Sequence, residues 1–267
     1  MSFSNINEIG IKCDEIDALG GISHIFTTKN GGCSDGSLSS LNMGINRPDT
    51  RENLINNYKT VCDCIGADYT KTVLSHQTHT SNIKIVTEED AGKGLYLPSD
   101  IRDTDGLVTN IKNVPLVIFY ADCVPVLLYS KESSCIACVH AGWRGTVAGI
   151  AANAAAIMET SFGADASEIR AAIGPSIGQC HFETGLEVAA EFEENGLSNC
   201  IEYKNDKAYI DLWRANTEIL VSAGLKEENI FVSGLCTVCN TDKFFSHRGL
   251  GADTGRMALM AYLCDQN

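Results

Sequence analysis

Residues 114–145 read VPLVIFYADCVPVLLYSKESSCIACVHAGWRG. Three apolar runs within it, Val114–Tyr120, Val124–Tyr129 and Cys135–His140, are short, β-branched or aromatic in character and bounded by Asp, Cys and Ser, which predicts three strands. In the third, an extended backbone puts Ile136, Cys138 and His140 on one face and Cys135, Ala137 and Val139 on the other. His140 then ends its strand just before Ala141-Gly142, and Cys123 stands at the bend before Val124. A thiol and an imidazole are thus set at strand ends, where side chains from other segments can converge on them.

Outward from this stretch, Thr146–Phe162 is alanine-rich with apolar residues at helical spacing and Gly163 as its stop, so it predicts a buried helix. Ile169–Ile173 predicts a strand running into a Gly174–Gly178 loop. Asp211 is placed to cap a helix over Leu212–Ser222, closed by Gly224. Phe231–Ser233 begins a further strand, and Thr254–Leu263 has a helical pattern. Strands come in clusters, with helices interspersed in no strict alternation, which predicts an α+β domain with mixed sheets. No linker composition interrupts the chain, so residues 1–267 are expected to form one domain.

The formal net charge of −14 argues against a nucleic-acid backbone or an anionic membrane as partner. The N-terminus lacks the basic start and apolar run of a secretory signal, and no later run is long enough to span a bilayer. The expected location is the cytoplasm. There, the 12 cysteines are expected to be mostly free thiols rather than a disulfide framework.

Histidine occurs six times, and His76 and His79 lie together in the segment LSHQTHTSNI. With His140 and Cys123 they make nitrogen and sulfur donors that suit zinc, and three protein ligands leave a fourth position for water or substrate. The same atoms read without metal give a Cys123 thiolate activated by His140, as in cysteine hydrolases. Cys236-Thr-Val-Cys239 and Cys62-x-Cys64 lack the second pair or the helix-start context of a zinc knuckle or redox centre, and are read as bystanders. In Phe244–Arg248 the aromatic rings offer a stacking surface and Arg248 a planar anion-binding fork; the plainer reading is an aromatic strand with a surface cation.

Taken in order, the segments SHQTHT, DTDGLVT, ADCVPVLLY, CVHAGWRGTVAGI, AAIGPSIGQCHFETGLEV, DLWRANTEIL, CTVCNTDKFFSHR and TGRMALMAYL resemble those of the YfiH family. This family is also called laccase-domain or polyphenol-oxidase-like, and its members are purine nucleoside phosphorylases. The resemblance runs from about Phe26 to the C-terminus. It implies a CNF1/YfiH-like α/β/β/α layered sandwich and a zinc ion held by His79, Cys123 and His140, with His76 a neighbour. It further implies phosphate-dependent cleavage of adenosine, inosine, guanosine and methylthioadenosine, with phosphate as co-substrate and adenosine deamination as a companion activity. On that basis Arg144 and Arg248 are expected to contact anions, and Asn42, Gln77 and His247 to orient the nucleoside.

Two departures stand out. Lys29 replaces the arginine of the family's usual STRxGG start, and Cys180-His181-Phe182-Glu183 replaces Cys-Cys-Tyr-Glu. Neither touches the three expected ligands. Within the family the competing activity is hydrolysis of a misincorporated amino acid from a peptidoglycan precursor. A multicopper oxidase would need more histidines than six, and a non-catalytic zinc- or nucleotide-binding module is a reading of another class.

Overall fold

The structure is a computed structural model that describes residues 2–265. Two six-stranded sheets dominate it. The first runs, in spatial order, Phe3–Ile6, Gly10–Cys13, Ile22–Thr27, Met257–Leu263, Leu116–Tyr120 and Val73–Leu74. The second runs Ile230–Val232, Arg170–Ile173, Val124–Ser130, Cys135–Ala141, Gly106–Thr109 and Ile83–Ile85. Both are mixed and mainly antiparallel, the first with one parallel pair at an edge and the second with a parallel pair at each edge. A small sheet of Glu183–Thr184, Lys207–Ile210 and Ile201–Lys204 sits beside them.

The side-chain period of two decides the layering. Ile136 and Cys138 pack inward with Leu107 and Leu127 against Phe26, Leu116, Ile118 and Leu259 of the first sheet. Ala137 and Val139 point the other way, onto Ile150, Ala154 and Met158 of the helix Ile150–Phe162, which also meets Ala215 and Leu220 of the helix Leu212–Ser222. On the far side, Ile25, Val117 and Met260 pack on Tyr58, Val61 and Cys62 of the helix Arg51–Ile65. The result is the expected α/β/β/α sandwich. Each fully buried Leu, Ile or Val contributes roughly 1.5–3 kcal/mol against exposure, so the central layer is the main source of stability.

The three strands expected between Val114 and His140 are present as Leu116–Tyr120, Val124–Ser130 and Cys135–Ala141. Asp211 caps its helix by accepting the Arg214 amide at 3.0 Å. Two expectations need correction. The helix expected over Thr146–Phe162 is two helices, Trp143–Val147 and Ile150–Phe162, because Gly149 takes a left-handed conformation at φ 69° that breaks the run. The helical pattern of Thr254–Leu263 is instead a strand, Met257–Leu263, in the middle of the first sheet and buried along its whole length. Met, Ala and Leu favour helices in isolation, but a strand buried on both faces shows no alternation and is held by its two neighbours. No described helix is long and apolar enough to cross a membrane.

Candidate metal centre and active site

The antiparallel pairing of Val124–Ser130 with Cys135–Ala141 sets Val124 opposite Ala141 and Pro125 opposite His140, so Cys123 and His140 meet at one end of the sheet. His79 arrives from the loop after Val73–Leu74, held at φ 64°. A non-glycine residue in that region is uncommon, and here the surroundings impose it. The buried carboxylate of Asp105 accepts the amides of Thr78, His79 and Thr80 at 3.2, 3.1 and 2.8 Å, and the Thr80 hydroxyl at 2.8 Å. The same carboxylate lies 2.8 Å from His140 Nδ1, leaving Nε2 free to face Cys123 and His79. One buried anion thus orients both imidazole-bearing segments.

The donor atoms of His79, Cys123 and His140 lie within 4.8 Å of one another. A Cβ built on Gly142 would stand 3.0 Å from His79 Cδ2 and 3.3 Å from Cys123 Sγ, so only a glycine leaves this corner clear. Burial pushes the Cys123 thiol up, but the neighbouring His140 and His79 outweigh it and draw it down to about 6. Burial opposes charge on His140 too, yet the Cys123 thiolate and Asp105 hold its pKa above the usual imidazole value. Burial likewise works against the Asp105 charge and is overcome by His140 and the Thr80 contacts, so this carboxylate stays ionised. Without metal, Cys123 and His140 are therefore drawn toward a thiolate–imidazolium pair. One soft and two borderline donors, with an acid behind one histidine, make a candidate metal site.

These three side chains line a cleft of about 420 Å³. Of the residues expected to bind substrate, Gln77, His247 and Arg248 line it as well. Gln77 spends its amide on the backbone of Phe119, donating to the carbonyl at 2.8 Å and accepting the amide at 2.7 Å, so it shapes the wall. Asn42 and Arg144 are not among the lining residues. Asn42 is fully buried and accepts the amides of Gly44 and Arg256 at 3.0 Å, supporting the wall from behind. Arg144 is exposed, with its guanidinium 4.2 Å from the centre of the Trp143 ring. His76 is exposed and stands outside the donor trio.

The structure adds functional residues that sequence reasoning missed. Asp105 is the main one, and the DTDG run leading into a strand was its only signal. Arg47 and Arg256 also line the cleft. Arg47 Nε is buried without a hydrogen-bond partner among the described residues, and burial together with the Arg47 charge lowers the Arg256 pKa. Asp122, beside the key cysteine, turns its carboxylate toward the neighbouring wall. It accepts the Thr237 and Ser246 hydroxyls at 2.6 and 2.7 Å and the Arg248 amide at 2.7 Å, and so fixes the wall that carries Arg248.

Residues 23–264 match the family model described as multi-copper polyphenol oxidoreductase laccase. The chain is 37% identical over 242 residues to the purine nucleoside phosphorylase YlmD of Bacillus subtilis, covering 87% of this chain and 85% of that one. It is 32% identical over 252 residues to the adenosine deaminase RL5 of an unknown prokaryotic organism, covering 92% and 95% of the two chains. The crystal structure of the YfiH protein of Bacillus licheniformis superposes with a TM-score of 0.92 at 34% identity, over 98% of each chain. With the layered fold and the motif order in agreement, the chain belongs to this laccase-like YfiH family.

Proposed function

We propose that the chain is a zinc-dependent purine nucleoside phosphorylase acting on adenosine, inosine, guanosine and methylthioadenosine, with adenosine deamination as a second activity of the same cleft. The observation that carries this reading is the pairing of a three-donor trio with the guanidinium groups of Arg47, Arg248 and Arg256 in one cleft, in a chain whose net charge is −14. Cationic lining in an acidic protein selects an anionic co-substrate, and inorganic phosphate fits the forked geometry of arginine.

His79, Cys123 and His140 would hold the zinc, which supplies Lewis acidity to the cleft when bound. The remaining work falls to the chain. Phe119, Trp143 and Phe182 offer faces for a planar base. Arg248 is aimed by its own bonds to the carbonyls of His181 and Glu183 at 3.0 and 3.2 Å, and presents its remaining N–H groups to phosphate. In phosphorolysis the bond from ribose C1′ to the base nitrogen breaks and a phosphate oxygen bonds to C1′. The base leaves with the electron pair and takes up a proton. In deamination water replaces the amino group and ammonia leaves. A cytoplasmic location accords with 12 free thiols.

A second reading, a cysteine hydrolase using Cys123 and His140, is favoured by the lowered thiol alone. The separating experiment is incubation of the purified chain with adenosine, with and without phosphate and chelator, followed by product identification. The expected result is adenine and ribose 1-phosphate only when phosphate is present, some inosine without it, and neither after chelation. Chelator-resistant turnover would favour the thiol hydrolase. No nucleoside turnover, with release of an amino acid from a muramyl peptide, would favour peptidoglycan editing.

A further inference from the structure

A second group of metal-binding side chains lies outside the cleft: Cys180, His181, Cys236 and Cys239, whose donor atoms all fall within 4.8 Å of one another. The segments that bring them together are the turn after the Gly174–Gly178 loop and the loop after Ile230–Val232. They are joined by backbone before any side chain is considered. Ser176 N donates to Leu235 O at 3.2 Å and Thr237 N to Ser176 O at 3.0 Å, a short parallel bridge that sets Cys236 beside Gly178. The Gly178 amide then points at Cys236 Sγ, 3.3 Å away.

The distances match a tetrahedron. Zinc–sulfur bonds of about 2.3 Å and zinc–nitrogen bonds of about 2.0 Å require sulfurs about 3.8 Å apart and sulfur–nitrogen pairs about 3.5 Å apart. Cys180 and Cys239 Sγ are 3.7 Å apart, and His181 Nδ1 lies 3.2, 3.7 and 3.4 Å from the sulfurs of Cys180, Cys236 and Cys239. Three thiols and one imidazole at these separations leave no corner for substrate, which is the pattern of a closed, structural site.

We propose that Cys180, His181, Cys236 and Cys239 bind a second zinc ion that clips the two loops together. Binding displaces protons from the three thiols to solvent and forms three zinc–sulfur bonds and one zinc–nitrogen bond, with no change of oxidation state. The clip fixes a wall of the cleft, because Phe182 follows the ligand pair directly and the His181 carbonyl receives the Arg248 guanidinium. It thus lends rigidity to the anion-binding side of the cleft without joining the chemistry.

The test is metal content per chain, by elemental mass spectrometry, of full-length protein purified without added metal or a metal-affinity tag. The expected result is one equivalent of zinc retained in Cys123→Ser and lost in Cys123→Ser/Cys239→Ser. Both should keep the wild-type circular dichroism, since Cys239 is at the surface. Cobalt loading of Cys123→Ser should give the intense thiolate charge-transfer band of a three-sulfur site, and the double variant should lose it. Because Cys123 is already removed, the outcome does not depend on whether the cleft binds metal. Equal metal content in the single and double variants would overturn the proposal. So would a Cys180–Cys239 disulfide found by non-reducing peptide mapping of the freshly purified chain.

Discussion

The chain gathers cysteine and histidine in two places, and the two differ in what surrounds them. In the cleft, three donors stand at the end of a buried strand pair, with Asp105 behind His140 and arginines along the walls. At the loop junction, four donors stand together, two of their thiols at the surface, with backbone bonds holding the segments and no carboxylate behind the imidazole among the described contacts. Donor number and setting divide the roles. Three donors would leave a bound ion a further position for a reacting molecule, whereas four would close around it as a staple.

The largest effect should come from the cleft ligands. His140→Ala or Cys123→Ser should lower nucleoside turnover by about 10³-fold or more, since the metal supplies several kcal/mol of charge stabilisation. Cys239→Ser should change turnover only a few-fold while lowering the melting temperature by several degrees, as expected for losing a stabilising ion in a chain of this size. Similar losses of activity in the two variants would erase the distinction between the sites. Asp105→Asn comes next. It keeps the shape but loses the charge that orients His140, and should weaken zinc binding in a competition titration by about 10- to 100-fold.

Thiol reactivity sharpens the contrast further. Cys123 is drawn down to about 6, so in metal-stripped protein at pH 7 it is mostly thiolate. Burial pushes Cys13, Cys62, Cys135 and Cys200 up to about 12, so they are thiols at that pH. Iodoacetamide should therefore modify Cys123 ahead of these four after chelation, fading as the pH falls below about 6, and zinc should protect it. Smaller again, Arg248→Ala should raise the KM for phosphate by about 10-fold or more, the loss of a charge-assisted contact. Arg144→Ala should change it by about twofold at most, because that guanidinium stacks on Trp143 and does not line the cleft.

The same contrast marks how far the sequence could be read. Cys123 and His140 were legible because strand periodicity and strand ends place them, and the family motifs supplied His79. Asp105 was not, since a carboxylate that acts by accepting three backbone amides has no spacing signature. The loop-junction donors were passed over because Cys236-Thr-Val-Cys239 finds its partner pair 55 residues upstream, through a backbone bridge that no local pattern announces. Arg47 and Arg256 come from opposite ends of the chain and meet only in the fold. The strand Met257–Leu263 was misread for a related reason. Its residues are chosen for burial on both sides, so the alternation that reveals an exposed strand is absent.

The most direct test of the central claim is adenosine phosphorolysis by metal-stripped protein, followed as zinc is added back stepwise in the presence of phosphate. Turnover absent from the stripped enzyme and restored as the cleft fills, in the wild type but not in Cys123→Ser, is the predicted result. Full turnover by the stripped chain, or equal restoration in Cys123→Ser, would contradict it.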